Sequence, residues 1–136
     1  MLAPDALYQN VKVLNEFPDL DLIYSDEDKI DEKDQHLEPH FKPDWCPESF
    51  LSRNYLGHLV VIRKKLIDTI GGFREGLEGS QDFDLLLRLT ELTDRIHHIP
   101  LVLYHWRMHQ ESTSQNDEAK PYAFNAGIKA VEDALK

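Results

Sequence analysis

The chain has 136 residues, the size of one domain with a real core. Its formal charge of -10 and pI near 5.0 exclude nucleic acid as a main partner, because phosphate-backbone binding needs clustered Lys and Arg. With 41% hydrophobic and 29% charged residues, a disordered chain is excluded as well. A phosphate-bearing small molecule stays compatible with this charge if a metal ion supplies the positive counterpart.

In chain order, Met1-Leu2-Ala3-Pro4-Asp5 carries neither the basic region nor the apolar core of a signal peptide. Pro4 suits a first helical position, and Leu7, Val11, Leu14 and Phe17 follow at helical spacing until Pro18 ends the helix. Leu20, Leu22 and Tyr24 alternate with polar neighbours and predict a strand ending at Ser25. Residues 26–49, rich in charge and proline, read as a long excursion of the kind that often carries function. Cys46 within it is the single cysteine, a small half-buried residue by default, and it suits a reducing compartment.

Gly57 to Arg63 is a short β-branched strand, too short an apolar run to span a bilayer, and Lys64 to Ile70 a short helix stopped by Gly71-Gly72. Ser80 is placed to cap the next helix, with Asp82 and Asp84 complementing its dipole. Phe83, Leu85, Leu86, Leu87, Leu89 and Leu92 cover so wide an arc that this helix is expected to be largely buried. Arg95 to Ile99 and Leu101 to Trp106 read as strands on either side of Pro100. Asp117 to Leu135 reads as a closing amphipathic helix. The alternation predicts an α/β fold with about four strands, an open sheet that looks incomplete by itself.

Three stretches in series carry a resemblance. They are Leu22-Ile23-Tyr24-Ser25-Asp26-Glu27-Asp28-Lys29-Ile30-Asp31; Phe41-Lys42-Pro43-Asp44-Trp45-Cys46-Pro47 with Asn54-Tyr55-Leu56-Gly57-His58-Leu59; and Gly71-Gly72-Phe73-Arg74-Glu75-Gly76 through Ser80-Gln81-Asp82-Phe83-Asp84-Leu85 to Leu103-Tyr104-His105-Trp106-Arg107. Across roughly residues 2–115 their order and spacing resemble glycosyltransferase family 2 proteins of the GT-A fold, of the bacterial polysaccharide and O-antigen type. The resemblance implies a partial GT-A (Rossmann-like) mixed sheet flanked by helices over residues 1–115, with a C-terminal amphipathic helix at 116–136. The nucleotide-binding half and its Asp-x-Asp metal motif would precede Leu2. The chain is then expected to be a fragment or a truncated relative, inactive alone and lacking most of the donor-nucleotide site.

Inverting sugar transfer needs a base for the acceptor hydroxyl and positive charge for the departing nucleoside diphosphate. Asp82 matches the family's base, although many members have Glu where Gln81 stands; by residue type alone it is equally a helix-dipole carboxylate. His105 matches a metal-binding histidine, whereas a lone histidine at a strand end is more often structural. His109 lies four residues on, but the stretch between does not read as a helix, so a paired site is discounted. Asp26 and Asp28 spell a literal Asp-x-Asp but align as a second acidic cluster, read first as a solvated turn and second as a wall of the donor or acceptor pocket. Trp45 is either a platform for a sugar ring or the anchor of its loop. Asn54 and His58 are candidate contacts to sugar hydroxyls, with a satisfied core position the commoner outcome for His58. Arg107 either grips a diphosphate or pairs with a carboxylate. His97-His98 is given no role.

The expected function is transfer of a sugar from a nucleotide-diphosphate donor to a glycan or lipid-linked acceptor, with inversion and with manganese or magnesium in the full-length enzyme. The expected location is cytoplasmic, with peripheral association at the inner membrane face and self-association through an unpaired sheet edge. Two rival readings are a non-catalytic carbohydrate-binding or interaction module and a metal-dependent hydrolase using Asp26, Asp28 and His105.

Overall fold

A computed structural model describes residues 1–108 and 121–136. Among these, residues 1–63 and 95–108 form one compact unit and residues 64–94 and 121–136 a second. The first is built on a mixed four-stranded sheet, and the second is helical, so the α/β expectation holds. Among the described residues no helix is long and apolar enough to cross a membrane.

In the sheet unit the central strand is β1 (Leu22–Ile30). The strand β4 (Ile96–Arg107) runs parallel to it along its whole length. The opposite edge of β1 is shared. Residues 22–24 pair antiparallel with β3 (Val60–Ile62), and residues 27–30 pair antiparallel with β2 (His36–His40). The first residues of the chain run along the outer edge of β4, where Ala3 N donates to Leu103 O and His105 N to Met1 O. That edge, expected to be bare, is therefore partly satisfied.

Two expectations are corrected here. The strand expected to stop at Ser25 continues to Ile30, and the excursion contains β2 and the helix α2 (Pro47–Ser52). A tight turn joins β1 to β2. Asp31 accepts backbone N–H bonds from Lys33 and Gln35 at 2.8 and 2.9 Å, and Asp34 takes a left-handed backbone with φ 58°. The second correction concerns Pro100, which does not split β4 in two. The proline lacks an N–H, and the pairing register slips between Ile99 and Val102, so the strand bulges past it.

The apolar core of this unit lies under α1 (Ala6–Glu16). Ala3, Ala6, Ile23, Ile99 and Leu103 are buried together, with Val13, Leu14, Leu59 and Val61 packed against them. The inward face of α1 is not the expected stripe: Leu7 and Val11 are exposed, while small Ala6 allows close approach to the sheet.

The helical unit comprises α3 (Lys64–Ile70), α4 (Gln81–Thr90) and α5 (Pro121–Ala134). Leu85, Leu86, Leu87 and Leu89 of α4 are buried, as its wide apolar arc requires. Gly79 precedes α4 with φ 87°, and a Cβ there would stand 2.7 Å from Ala123 of α5, so only glycine fits. Ser80 occupies the N-cap position without capping. Its hydroxyl donates instead to Ala123 O at 2.8 Å.

Candidate functional site

The acidic run Asp26-Glu27-Asp28 is not a solvated turn. It lies in the central strand, where Asp26 and Asp28 are buried. Burying carboxylates costs free energy unless partners satisfy them, and each here has its own set.

Asp28 faces two imidazoles. His105 stands directly opposite it in the β1–β4 register, with Nδ1 2.5 Å from Asp28 Oδ1. His36 pairs with Ile30 across the β1–β2 turn, which sets it diagonal to Asp28, and its Nδ1 lies 2.7 Å from Asp28 Oδ2. One ligand-type atom from each of the three side chains falls within 4.8 Å of the others. Two imidazoles and a carboxylate are a donor set for divalent transition metals. Sequence reasoning singled out His105 and Asp28 but missed His36. The Asp31 turn, three residues beyond Asp28 and five before His36, was the readable sign that β1 folds back on itself.

Asp26 accepts from Lys42 N at 2.9 Å and lies 2.8 Å from His98 Nε2. The His98 ring stacks on Tyr24, and its Nδ1 reaches Asp44 at 3.1 Å. His98 thus holds the loop onto the sheet, a part that its sequence context did not suggest. Burial pushes the Tyr24 phenol well above its ordinary pKa, and its hydroxyl donates to Pro43 O at 2.6 Å.

Glu27 organises a third cluster. The His58 N–H donates to Glu27 Oε2 at 2.9 Å, and the His58 ring Nδ1 lies 3.2 Å from the same oxygen. The fully buried Lys42 ammonium is 3.7 Å away and donates to Leu56 O and His58 O. Burial alone would raise the Glu27 carboxyl, but the His58 bonds and Lys42 outweigh it and hold the group below its ordinary value. For Lys42, burial dominates and lowers the ammonium, against the opposing pull of Glu27 and Asp26. Gly57 has φ 47°, and a Cβ there would lie 3.0 Å from Glu27 Oε1. His58 is therefore no core histidine: its side chain is 44% exposed, stacked on Tyr104 and edge-on to an exposed Trp106.

The remaining candidates separate. Trp45 is half-buried against Phe50 and Tyr55, which suits a loop anchor. Asn54 is half-buried just before Tyr55. Arg107 pairs with Asp34 at 2.7 Å and also donates to Asp31 O. His109 lies outside the described residues.

In the helical unit, Gln81 and Asp82 are exposed in the first turn of α4. The Gln81 amide oxygen accepts from Gly79 N at 2.7 Å and closes the glycine turn. Asp84, two residues beyond Asp82, is buried and ion-paired with both Arg74 and Arg88. The Asp84 hydrogen bonds push the Arg74 guanidinium higher still. Arg88 also donates to Ile70 O and Gly72 O, so Asp84 ties the end of α3 to α4. Of the two first-turn carboxylates, only Asp82 is presented to solvent.

No protein-family profile matches the chain. It is 47% identical over 137 residues to the uncharacterized protein y4gI of Sinorhizobium fredii, covering 99% of this chain and 15% of that protein. It is 37% identical over 134 residues to the O-antigen biosynthesis protein RfbC of Myxococcus xanthus, covering 98% of this chain and 10% of that protein. The chain thus spans 10–15% of the length of these curated relatives.

Proposed function

We propose that the chain belongs to an inverting sugar transferase of the glycosyltransferase family 2 type, acting in the synthesis of a cell-surface polysaccharide. The donor is a nucleotide-diphosphate sugar and the acceptor a glycan or lipid-linked saccharide. The observation that carries this reading is the 37% identity, over 98% of the chain, to a protein named for O-antigen biosynthesis. The exposure of Asp82 beside a locked Asp84 supports it.

Asp82 takes the proton of the acceptor hydroxyl as that oxygen attacks the anomeric carbon. The glycine turn, closed by Gln81 onto Gly79, fixes the start of α4 and with it the direction of the carboxylate. Asp84, ion-paired with Arg74 and Arg88, keeps the helix in place.

A second reading has its own observation. Trp106 is 40% exposed beside His58, whose ring in turn meets the Glu27 carboxylate, and an exposed aromatic ring near a hydrogen-bonding imidazole fits a sugar ring. That arrangement also serves a non-catalytic carbohydrate-binding module. The two readings part in one assay. Protein made from the complete native gene is incubated with nucleotide-diphosphate sugars, a divalent metal and surface-glycan acceptors. Acceptor-dependent release of nucleoside diphosphate is expected; glycan binding with no release across the donor panel favours the module.

A further inference from the structure

We propose that Asp28, His36 and His105 form a binding site for a divalent transition-metal ion such as zinc, which this chain holds with its own side chains. The site takes one residue from each of three adjacent strands: Asp28 from β1, His36 from β2 and His105 from β4. Each imidazole already sits on a different oxygen of the same carboxylate, at 2.5 and 2.7 Å. Bonds of about 2.0–2.2 Å place the ligands of a tetrahedral ion roughly 3.4 Å apart. The three ligand atoms lie within 4.8 Å of one another, so closure on an ion takes a shift of about an ångström or less per atom. His36, with its side chain 59% exposed, has room to make it. On binding, each Nδ1 exchanges its hydrogen bond to Asp28 for a bond to the ion, and the single proton of each neutral ring then resides on Nε2 after exchange with solvent.

Two other clusters have similar residue types and fail the same conditions. Glu27 meets His40 and His58, but the buried Lys42 ammonium stands 3.7 Å from its carboxylate and already supplies the counter-charge. His98 bridges Asp26 and Asp44 through opposite ring nitrogens, so those groups do not converge on one point. Among the described residues the ionic partners of Asp28 are the two imidazoles, with no lysine or arginine. Three protein ligands leave coordination positions open to water or to a substrate oxygen. The site stands apart from the transferase reading: zinc binding without sugar transfer would overturn only that reading, and transfer without zinc binding only this one.

The test is titration of the metal-free 136-residue chain with zinc by calorimetry and with cobalt by visible absorption. One equivalent of zinc is expected to bind and to raise the thermal midpoint by several degrees, since an ion bound only by the folded state stabilises it. His36→Gln and His105→Gln should each weaken binding at least tenfold, while His40→Gln, in the Glu27 cluster, should leave it unchanged. Circular dichroism checks the fold of each variant; His36→Gln at the surface keeps the test decisive if His105→Gln unfolds. Absence of saturable binding, or binding that survives His36→Gln, overturns the proposal.

Discussion

Asp28 in the sheet unit and Asp84 in the helical unit are both buried carboxylates facing two basic side chains, and they differ in what those side chains are. Asp84 is held by the guanidiniums of Arg74 and Arg88. A guanidinium is always charged and offers no lone pair, so such a carboxylate is permanently committed to structure. Asp28 is held by the imidazoles of His36 and His105. Neutral imidazole has a lone pair to give, so these partners can change from hydrogen-bond donors to metal ligands. The identity of the partner, rather than burial, separates a carboxylate that holds the fold from one that can do chemistry.

That contrast can be broken first where the largest effect on stability is expected. Asp84→Ala removes the buried carboxylate that Arg88 and Arg74 share, leaving Arg74 with Asp133 alone, and should cost about 3–5 kcal/mol in urea unfolding. A loss below 1 kcal/mol would mean that Asp84 is no lock. Asp28→Asn keeps a hydrogen-bonding side chain in place and should cost only about 1–2 kcal/mol, while abolishing zinc uptake. Equal losses of stability from the two substitutions would erase the distinction.

Glu27 sharpens the comparison at a smaller scale, because its partners mix an imidazole with a fixed ammonium. Its folded-state carboxyl titrates below its ordinary value of 4.5, so the unfolded chain binds the proton more readily. The stability this group contributes is full above that ordinary value and is lost as pH falls through the lowered one. Glu27→Gln should therefore flatten the acid limb of a stability-against-pH profile. An unchanged acid limb would show that Lys42 and His58 do not favour the charged form.

Much of the helical unit was legible in the sequence, because its signals are local. Gly71-Gly72 stops α3, and the leucines of α4 declare burial by their spacing. The sheet unit hid more. Asp26, Glu27 and Asp28 have low strand preference, and β1 keeps them only because partners from distant positions satisfy them. His98 reaches back 72 residues to Asp26 and His105 reaches 77 to Asp28, separations that no local pattern reports. The strand β2 is almost wholly exposed and includes Pro39, so neither apolar alternation nor propensity marks it. Asp82 lies exposed in the first turn of α4, and its role rests on the transferase proposal.

The most direct measurement pairs Asp82→Asn with wild type in the native gene and follows both surface polysaccharide and protein level. Removing a general base should slow sugar transfer by roughly 10²–10⁴-fold, and polysaccharide should fall accordingly. Stability should fall by no more than about 1 kcal/mol, the scale of an exposed carboxylate's interaction with a helix N-terminus. Undiminished polysaccharide in the Asp82→Asn strain would contradict the account.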